Sequence, residues 1–428
     1  MHNIDLDLSL EEITKIEGAA TLDLKIRNGV VKQCKFAISE FKRFYTQAIR
    51  GKPISAVPQL VARICGTCSN AHLLCNIKAI EKAIGFTPSA QVQLLRKLLN
   101  YGLIIRDHAL HLYVFVLPDL YNRDSILDFD EESPEEHELL DDCFAVKNAG
   151  NQLGVTVGGR SVHAPNLALG GFTKIPPKEA LVNLIPRLEA VRPKILKLID
   201  IFHKNQFELI QDSEFVALIS DDFNFLSGEV LTKQGDHIPE EKFGEHLEKS
   251  LIPYSQASGY RFDGKIHLVG ALARLNLNQK ALHSRTRADA KESLAEFPSI
   301  NIYHNNLAQA IEISHCIDTS IDLIKKYEAL SDPLPKIELR DGIGFAVTEA
   351  PRGLLYHEMH VVNGKIKTGQ IVVPTGQNQI GIERSIFEYV TNHVAKPKEE
   401  LTHEIEKIIR AYDPCMSCAT HFLTVNWK

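Results

Sequence analysis

The sequence predicts a mainly α protein with small β additions, a central helical bundle forming one large domain over 1–428. Three observations point there. Long apolar segments carry helical spacing, and strict alternation is confined to two stretches. Neither an internal repeat nor a low-complexity linker divides the chain.

The elements follow in order. The stretch "AATLDLKIRNGVVKQCKFAI" alternates apolar and polar around Asn28-Gly29, which predicts a β-hairpin over about 18–38. From about Gln91, "VQLLRKLLNYGLIIRDHALHLYVFVL" has apolar residues on nearly every face, as a helix buried within a bundle does. The glycine-rich "GNQLGVTVGGRSVHAPNLALGG" reads as loop. A long helical region over 179–210 is bent or broken at Pro186 and Pro193, and another covers about 300–330. A β-rich insertion at about 340–376 is organised around Asn363-Gly364. A final helical region, "IERSIFEYVTNHVAKPKEELTHEIEKIIRAYD", breaks near Pro397 and leads into a metal-binding segment, 411–428.

Composition narrows the function. Hydrophobic residues make up 44% and charged residues 24%, which is ordinary for a globular chain. The net charge of −6, with no long basic run, argues against nucleic acid as a partner. No apolar run reaches membrane-spanning length, and the acidic start lacks the apolar core of a signal peptide. A cytoplasmic location is expected, with export alongside a partner subunit left open.

Four of the eight cysteines form two C-x-x-C pairs, Cys65/Cys68 and Cys415/Cys418. Each pair lies beside a helical pattern and is followed by a histidine, His72 or His421. A helix N-terminus favours thiolate over thiol. Together the pairs can close a four-thiolate site for a soft or borderline metal, buried where the two ends of the chain meet. A lone C-x-x-C is also a redox dithiol or half a zinc site, and from spacing alone structural zinc is the commoner outcome. Zinc leaves the neighbouring histidines and polar residues unexplained.

"RICGTCSNAH" and "DPCMSCATH" together resemble the paired signature of the large subunit of nickel–iron hydrogenases. "ITKIEGAATL", "IIRDHALHLY", "GGRSVHAP", "VGALARLNL", "EAPRGLLYHEMHV" and "IVVPTGQNQ" extend the likeness along nearly the whole chain. Several of these segments look most like the soluble, cofactor-coupled group. The resemblance implies a catalytic subunit for reversible heterolysis of H₂ to protons and electrons. Cys65, Cys68, Cys415 and Cys418 would bind nickel, and Cys68 and Cys418 would also bridge to an iron carrying carbon monoxide and cyanide. Glu17 would exchange protons with Cys415. Arg352 would sit over the open metal position, flanked by Asp107 and Asp413. Pro374 and Thr375 would contact the cyanides, and His72 would support a bridging cysteine.

Without the resemblance, Glu17 reads as a surface residue of a strand, and His108 and His111 read equally well as a satisfied core network. Cys34, Cys75, Cys143 and Cys316 are scattered, so iron–sulfur clusters would lie in a partner small subunit, with further electron-transfer subunits beyond it.

Two departures from the family fall on one implied magnesium site. Thr46 stands where the family carries a glutamate, and a hydroxyl does not replace a carboxylate as a charged ligand. His421, the implied second ligand, is followed by "FLTVNWK", a stretch many relatives lose. The chain is either an uncut precursor or a lineage that keeps its tail; two changes at one site favour the retained tail. The rivals to catalysis are a hydrogen-sensing regulatory protein with the same metal site and a structural zinc protein. The related quinone-site subunit of respiratory complex I lacks the four cysteines that are present here.

Overall fold

The computed structural model describes residues 4–331 and 333–420. His421 and the tail lie outside the described residues.

Helices dominate, as the sequence predicts. The principal ones are α1 (Ser69–Ile84), α2 (Ala90–Ala109), α3 (Pro134–Gly158), α4 (Ile185–His203), α5 (Ala271–Asn278), α6 (His304–Lys326), α7 (Pro374–Asn392) and α8 (Lys398–Ala411). Their ends follow local chemistry. Ser89 caps α2 by accepting from Val92 N at 3.2 Å, and Gly85 closes α1 in the left-handed conformation. The second half of α2 is buried on every face and widens into a π-helical turn over Leu110–Val116.

The Asn28-Gly29 hairpin joins strands Ala20–Arg27 and Val30–Ile38. Positive φ at both turn residues matches the twist of the flanking strands. A further strand, Leu6–Leu10, adds to the hairpin's outer edge; its alternation is too short to stand out in the sequence.

The glycine-rich segment is a correction. Residues 150–158 belong to α3 and are not loop. Gly102 of α2 and Gly150 of α3 let the two backbones touch: a Cβ on Gly150 would lie 2.7 Å from Arg106 N and 2.8 Å from Gly102 O. These glycines serve close helix packing, and their abundance mimics a loop.

Pro193 does not break the chain: it sits inside a continuous α4, whose buried Leu188, Val191, Ile195 and Leu198 outweigh one lost hydrogen bond. Pro186 does mark a boundary, lying in the first turn of α4.

The C-terminal β segment forms an antiparallel sheet of Gly342–Ala350, Gly353–Val362 and Lys365–Val372. It ends before Pro374, which opens α7, so "PTGQN" is helix and not strand. The sheet lies directly on α1, close enough that a Cβ on Gly344 would lie 1.9 Å from Ala79 O. A four-stranded mixed sheet built from Glu214–Ile219, Glu229–Thr232, His237–Ile238 and His267–Leu268 has no counterpart in the sequence reading. Its strands are too short to show a period.

Gly150→Ala tests the helix contact. It improves helix propensity yet forces α2 and α3 apart, for an expected net loss of about 1–3 kcal/mol. Urea denaturation measures it, and an equal or higher midpoint contradicts the close-packing account.

Candidate metal centre

The N-terminal pair is shaped by a turn leading into α1. Cys65 is extended, and Cys68 occupies the N-cap of α1. Cys68 N–H donates to Cys65 Sγ at 3.4 Å. Arg106, on α2, donates from its guanidinium to Thr67 O and, at 3.0 Å, to Ser161 O, fixing the intervening loop.

The C-terminal pair follows α8 through a sharp reversal. Asp413 adopts a left-handed backbone (φ 49°), Cys415 is extended, and Met416–Ala419 make one short helical turn. The segment is pinned at three places. Cys415 N–H donates to Thr375 Oγ1 at 2.9 Å, Met416 N–H to Glu17 O at 2.9 Å, and Ser417 N–H to Glu17 Oε2 at 3.1 Å.

These two arrangements bring the four sulfurs within 4.8 Å of one another, all buried. Cys65 and Cys415 lie 3.3 Å apart; Cys68–Cys418 and Cys415–Cys418 are each at 3.0 Å. Hydrogen bonds from Cys415, Cys418 and Cys68 hold the Cys65 thiol well below its ordinary range. Burial pushes Cys415 and Cys418 well up. Such a set ionises fully only when a cation takes the place of the shared protons. Four convergent sulfur donors in a water-poor setting fit a soft, thiophilic metal.

The polar residues around the sulfurs are placed as follows. Glu17 is half-buried and does not lie on an open strand face; Cys415 Sγ donates to its Oε2 at 3.0 Å. Burial, then the charge on Cys65, raises the Glu17 carboxyl above its usual range. Arg352 occupies the turn between the first two strands of the C-terminal sheet. Its Nη1 donates to Asp107 Oδ2 at 2.9 Å, and its Nη2 forms an ion pair with Asp413 Oδ1 at 3.0 Å. Burial opposes that charge, but Asp107, Asp413 and Cys415 hold the guanidinium firmly protonated.

His72 Nε2 lies 3.7 Å from Cys418 Sγ, and burial lowers its pKa to about 4, so the ring is neutral at pH 7. Pro374 lines a small cavity with Cys68, Cys415, Cys418, Arg352 and the apolar Ala350 and Leu355. A wider cleft bordered by Leu74, Lys78, Phe86 and Lys97 contains no thiol. Its buried charges are already paired, Lys78 with Glu240 and Arg96 with Glu81.

His108 and His111 belong to core networks: His108 Nε2 pairs with Glu312 Oε2 at 2.8 Å, and His111 reaches Gln309 and Arg410 O. Sequence reasoning passed over Arg106, Gln309 and Arg274. A charged residue beside Asp107 in an otherwise apolar helix was the available signal for Arg106.

Cys34, Cys75, Cys143 and Cys316 stay apart from the cluster. Burial lifts Cys75 to about 12 and Cys143 to about 11. The four-cysteine cluster is the one group of its kind among the described residues. Half-buried Thr46 offers no carboxylate, so it does not supply the charged ligand that the resemblance implies for magnesium, and His421 lies outside the described residues.

The model of the nickel-dependent hydrogenase family matches residues 43–139 and 233–421. The alpha subunit of sulfhydrogenase 1 from Pyrococcus furiosus is 32% identical over 433 residues, covering 98% of this chain and 99% of that protein. The beta subunit of the NAD-reducing hydrogenase of Cupriavidus necator is 27% identical, covering 97% of this chain and 95% of that one. Among solved structures, an NAD⁺-reducing [NiFe]-hydrogenase in its H₂-reduced state superposes with a TM-score of 0.86 at 23% identity. That match covers 98% of this chain and all of that chain.

Thr375→Val tests how the C-terminal pair is held. It keeps the side-chain shape but leaves the buried Cys415 N–H without an acceptor, for an expected cost of about 1–3 kcal/mol. Amide exchange at Cys415 should quicken and nickel content fall; parental exchange and full nickel would contradict this anchoring.

Proposed function

The chain belongs to the nickel-dependent hydrogenase family, and on that premise we propose how its residues serve as the catalytic large subunit, which splits H₂ reversibly into two protons and two electrons. One observation carries this reading: a buried four-thiol cradle has a carboxyl group bonded to one thiol and a fixed guanidinium over the same cavity. Structural zinc would account for the thiols alone.

Cys65, Cys68, Cys415 and Cys418 are the residues that would hold nickel, with Cys68 and Cys418 shared with iron. When bound, that centre supplies Lewis acidity and redox capacity toward H₂. The protein's own part is acid–base and electrostatic. Glu17 takes a proton at Cys415 Sγ over 3.0 Å and returns it in the reverse direction. Its raised pKa narrows the gap between the donor and a carboxyl acceptor. Arg352, held by two carboxylates, presents fixed positive charge to the cavity. Ala350, Leu355 and Pro374 keep the wall apolar and exclude bulk water.

Thr375 Oγ1 accepts from Cys415 N–H, which leaves its hydroxyl proton free to donate. This supports the reading that Thr375, with Pro374, receives cyanide ligands of iron. Neutral His72 beside Cys418 supports a bridging sulfur. Magnesium has no part in this scheme.

Iron–sulfur clusters of a small subunit would carry the electrons onward, with further electron-transfer subunits beyond it. Support comes from the absence of a second thiol cluster among the described residues and from relatives that are named subunits of larger enzymes. No helix among the described residues is long and apolar enough to cross a membrane. The NAD-reducing relative supports a cytoplasmic setting, where that carrier is found.

An infrared spectrum of the purified complex tests the metal assignment: bands of metal-bound carbon monoxide and cyanide are expected, and their absence from zinc-loaded protein would overturn it. Glu17→Gln should retain nickel and lose about 10²–10⁴-fold in turnover. Arg352→Lys, which keeps the charge but not the fork, should lose about 10²–10³-fold. Turnover equal to the parent's in either variant would remove that residue from the mechanism.

A further inference from the structure

We propose that Arg274 is a positioning residue for Arg352: it fixes the backbone turn from which the Arg352 guanidinium reaches the thiol cradle. This rests on the hydrogenase reading for its catalytic consequence, though not for its geometry.

Arg274 lies on α5 and is only 2% exposed. A guanidinium has five N–H donors, and here each one is engaged. Nε and Nη2 grip both oxygens of Glu312, at 2.6 and 2.7 Å. Nη1 donates to Glu349 Oε2 at 2.7 Å and to Ala350 O at 3.3 Å. The remaining Nη2 proton reaches Pro351 O at 3.0 Å. The two carbonyls belong to the residues immediately before Arg352, in a turn whose flanking residues Ala350 and Gly353 pair directly.

The approach is close. A Cβ on Gly353 would lie 2.7 Å from Gly270 N, and one on Gly270 would lie 3.2 Å from Arg352 O. The start of α5 therefore abuts the turn with no room for side chains. The partners of Arg274 are themselves fixed. Glu312 also binds His108 at 2.8 Å, and Glu349 accepts from Leu218 N–H at 2.8 Å.

The network returns to the other end of Arg352. His108 follows Asp107 on α2, and Asp107 holds the Arg352 guanidinium. Gln309, one turn before Glu312 on α6, donates to Asp413 Oδ2 at 2.9 Å, and Asp413 is the second carboxylate on Arg352. Backbone and side chain of Arg352 are thus anchored to the same two helices. A lysine at 274 has neither the fork nor the reach to hold two carboxylates and two carbonyls together. The turn would relax, and a displacement of about 1 Å at a reacting site is enough to cost large factors in rate.

The test uses the assembled enzyme carrying Arg274→Lys, Arg352→Lys, or both. Amide hydrogen exchange at Arg352 and Gly353 should quicken in R274K while α2 and α6 keep their protection and nickel content stays at the parental level. The kcat should fall about tenfold or more, with KM for H₂ changed by less than about twofold. The double variant should be no slower than R352K alone, because both changes remove the same positioned charge. Unchanged exchange at the turn, or losses that multiply in the double variant, would overturn the proposal. Exchange is read without any turnover, so a parent inactive toward H₂ would defeat the hydrogenase reading and leave the clamp to be judged by exchange alone. If R274K does not fold, Glu312→Gln takes its place, since it keeps the volume but removes the bidentate anion. Faster exchange at the turn is again expected, and unchanged exchange again overturns the proposal.

Discussion

Met416 N–H donates to Glu17 O at 2.9 Å, pairing two segments from opposite ends of the chain in parallel register. The centre of the molecule depends on this contact. It sets Glu17 against Cys415 and holds the C-terminal thiols over the N-terminal pair. Arg410 reinforces it from one side, donating to Thr14 O and gripping Asp119 with two hydrogen bonds. Arg43 does so from the other, where its N–H reaches Thr420 O. The entropic cost of closing so long a loop grows only logarithmically with its length, but closure requires a contact specific enough to fix the register. A slip of one residue would turn Glu17 away from the sulfur.

The second constraint is charge in a dry interior. Arg352, Asp107, Asp413, Arg274, Glu312 and Glu349 are all buried, and each is paired. Hydrophobic replacements of equal volume often stabilise a fold as well as buried ion pairs do. Pairs of this kind give direction, because an Arg fork fixed on two carboxylates holds a charge at one point in space. Here that point faces the cavity beside the thiols, where low dielectric makes the charge most effective.

The closely packed glycines make this compact centre possible. Gly102 and Gly150 bring α2 onto α3, Gly344 brings the C-terminal sheet onto α1, and Gly270 with Gly353 brings α5 onto the Arg352 turn. Asp107, Arg352 and Cys68 each ride on an element held by such a close contact, α2 against α3, the turn against α5, and α1 against the sheet.

Much of this was legible from residues alone. The C-x-x-C pairs were visible as reactive groups at helix starts, the Asn-Gly hairpins as alternation around a turn, and the apolar α2 as a buried helix. The short strands 214–219 and 229–232 were not, because so few residues show no period. The end of α3 was missed because glycine for close packing looks the same in sequence as glycine for a loop. The sequence by itself determined which atoms can bind a metal and which segments form helices, since side-chain chemistry and periodicity are local properties. The family resemblance implied that Glu17 serves Cys415 and that Asp107 and Asp413 flank Arg352; only the tertiary structure gave the atoms through which they meet, and that Arg274 holds the turn beneath Arg352. Those are contacts between residues far apart in the chain, and no local pattern records where a distant partner will lie.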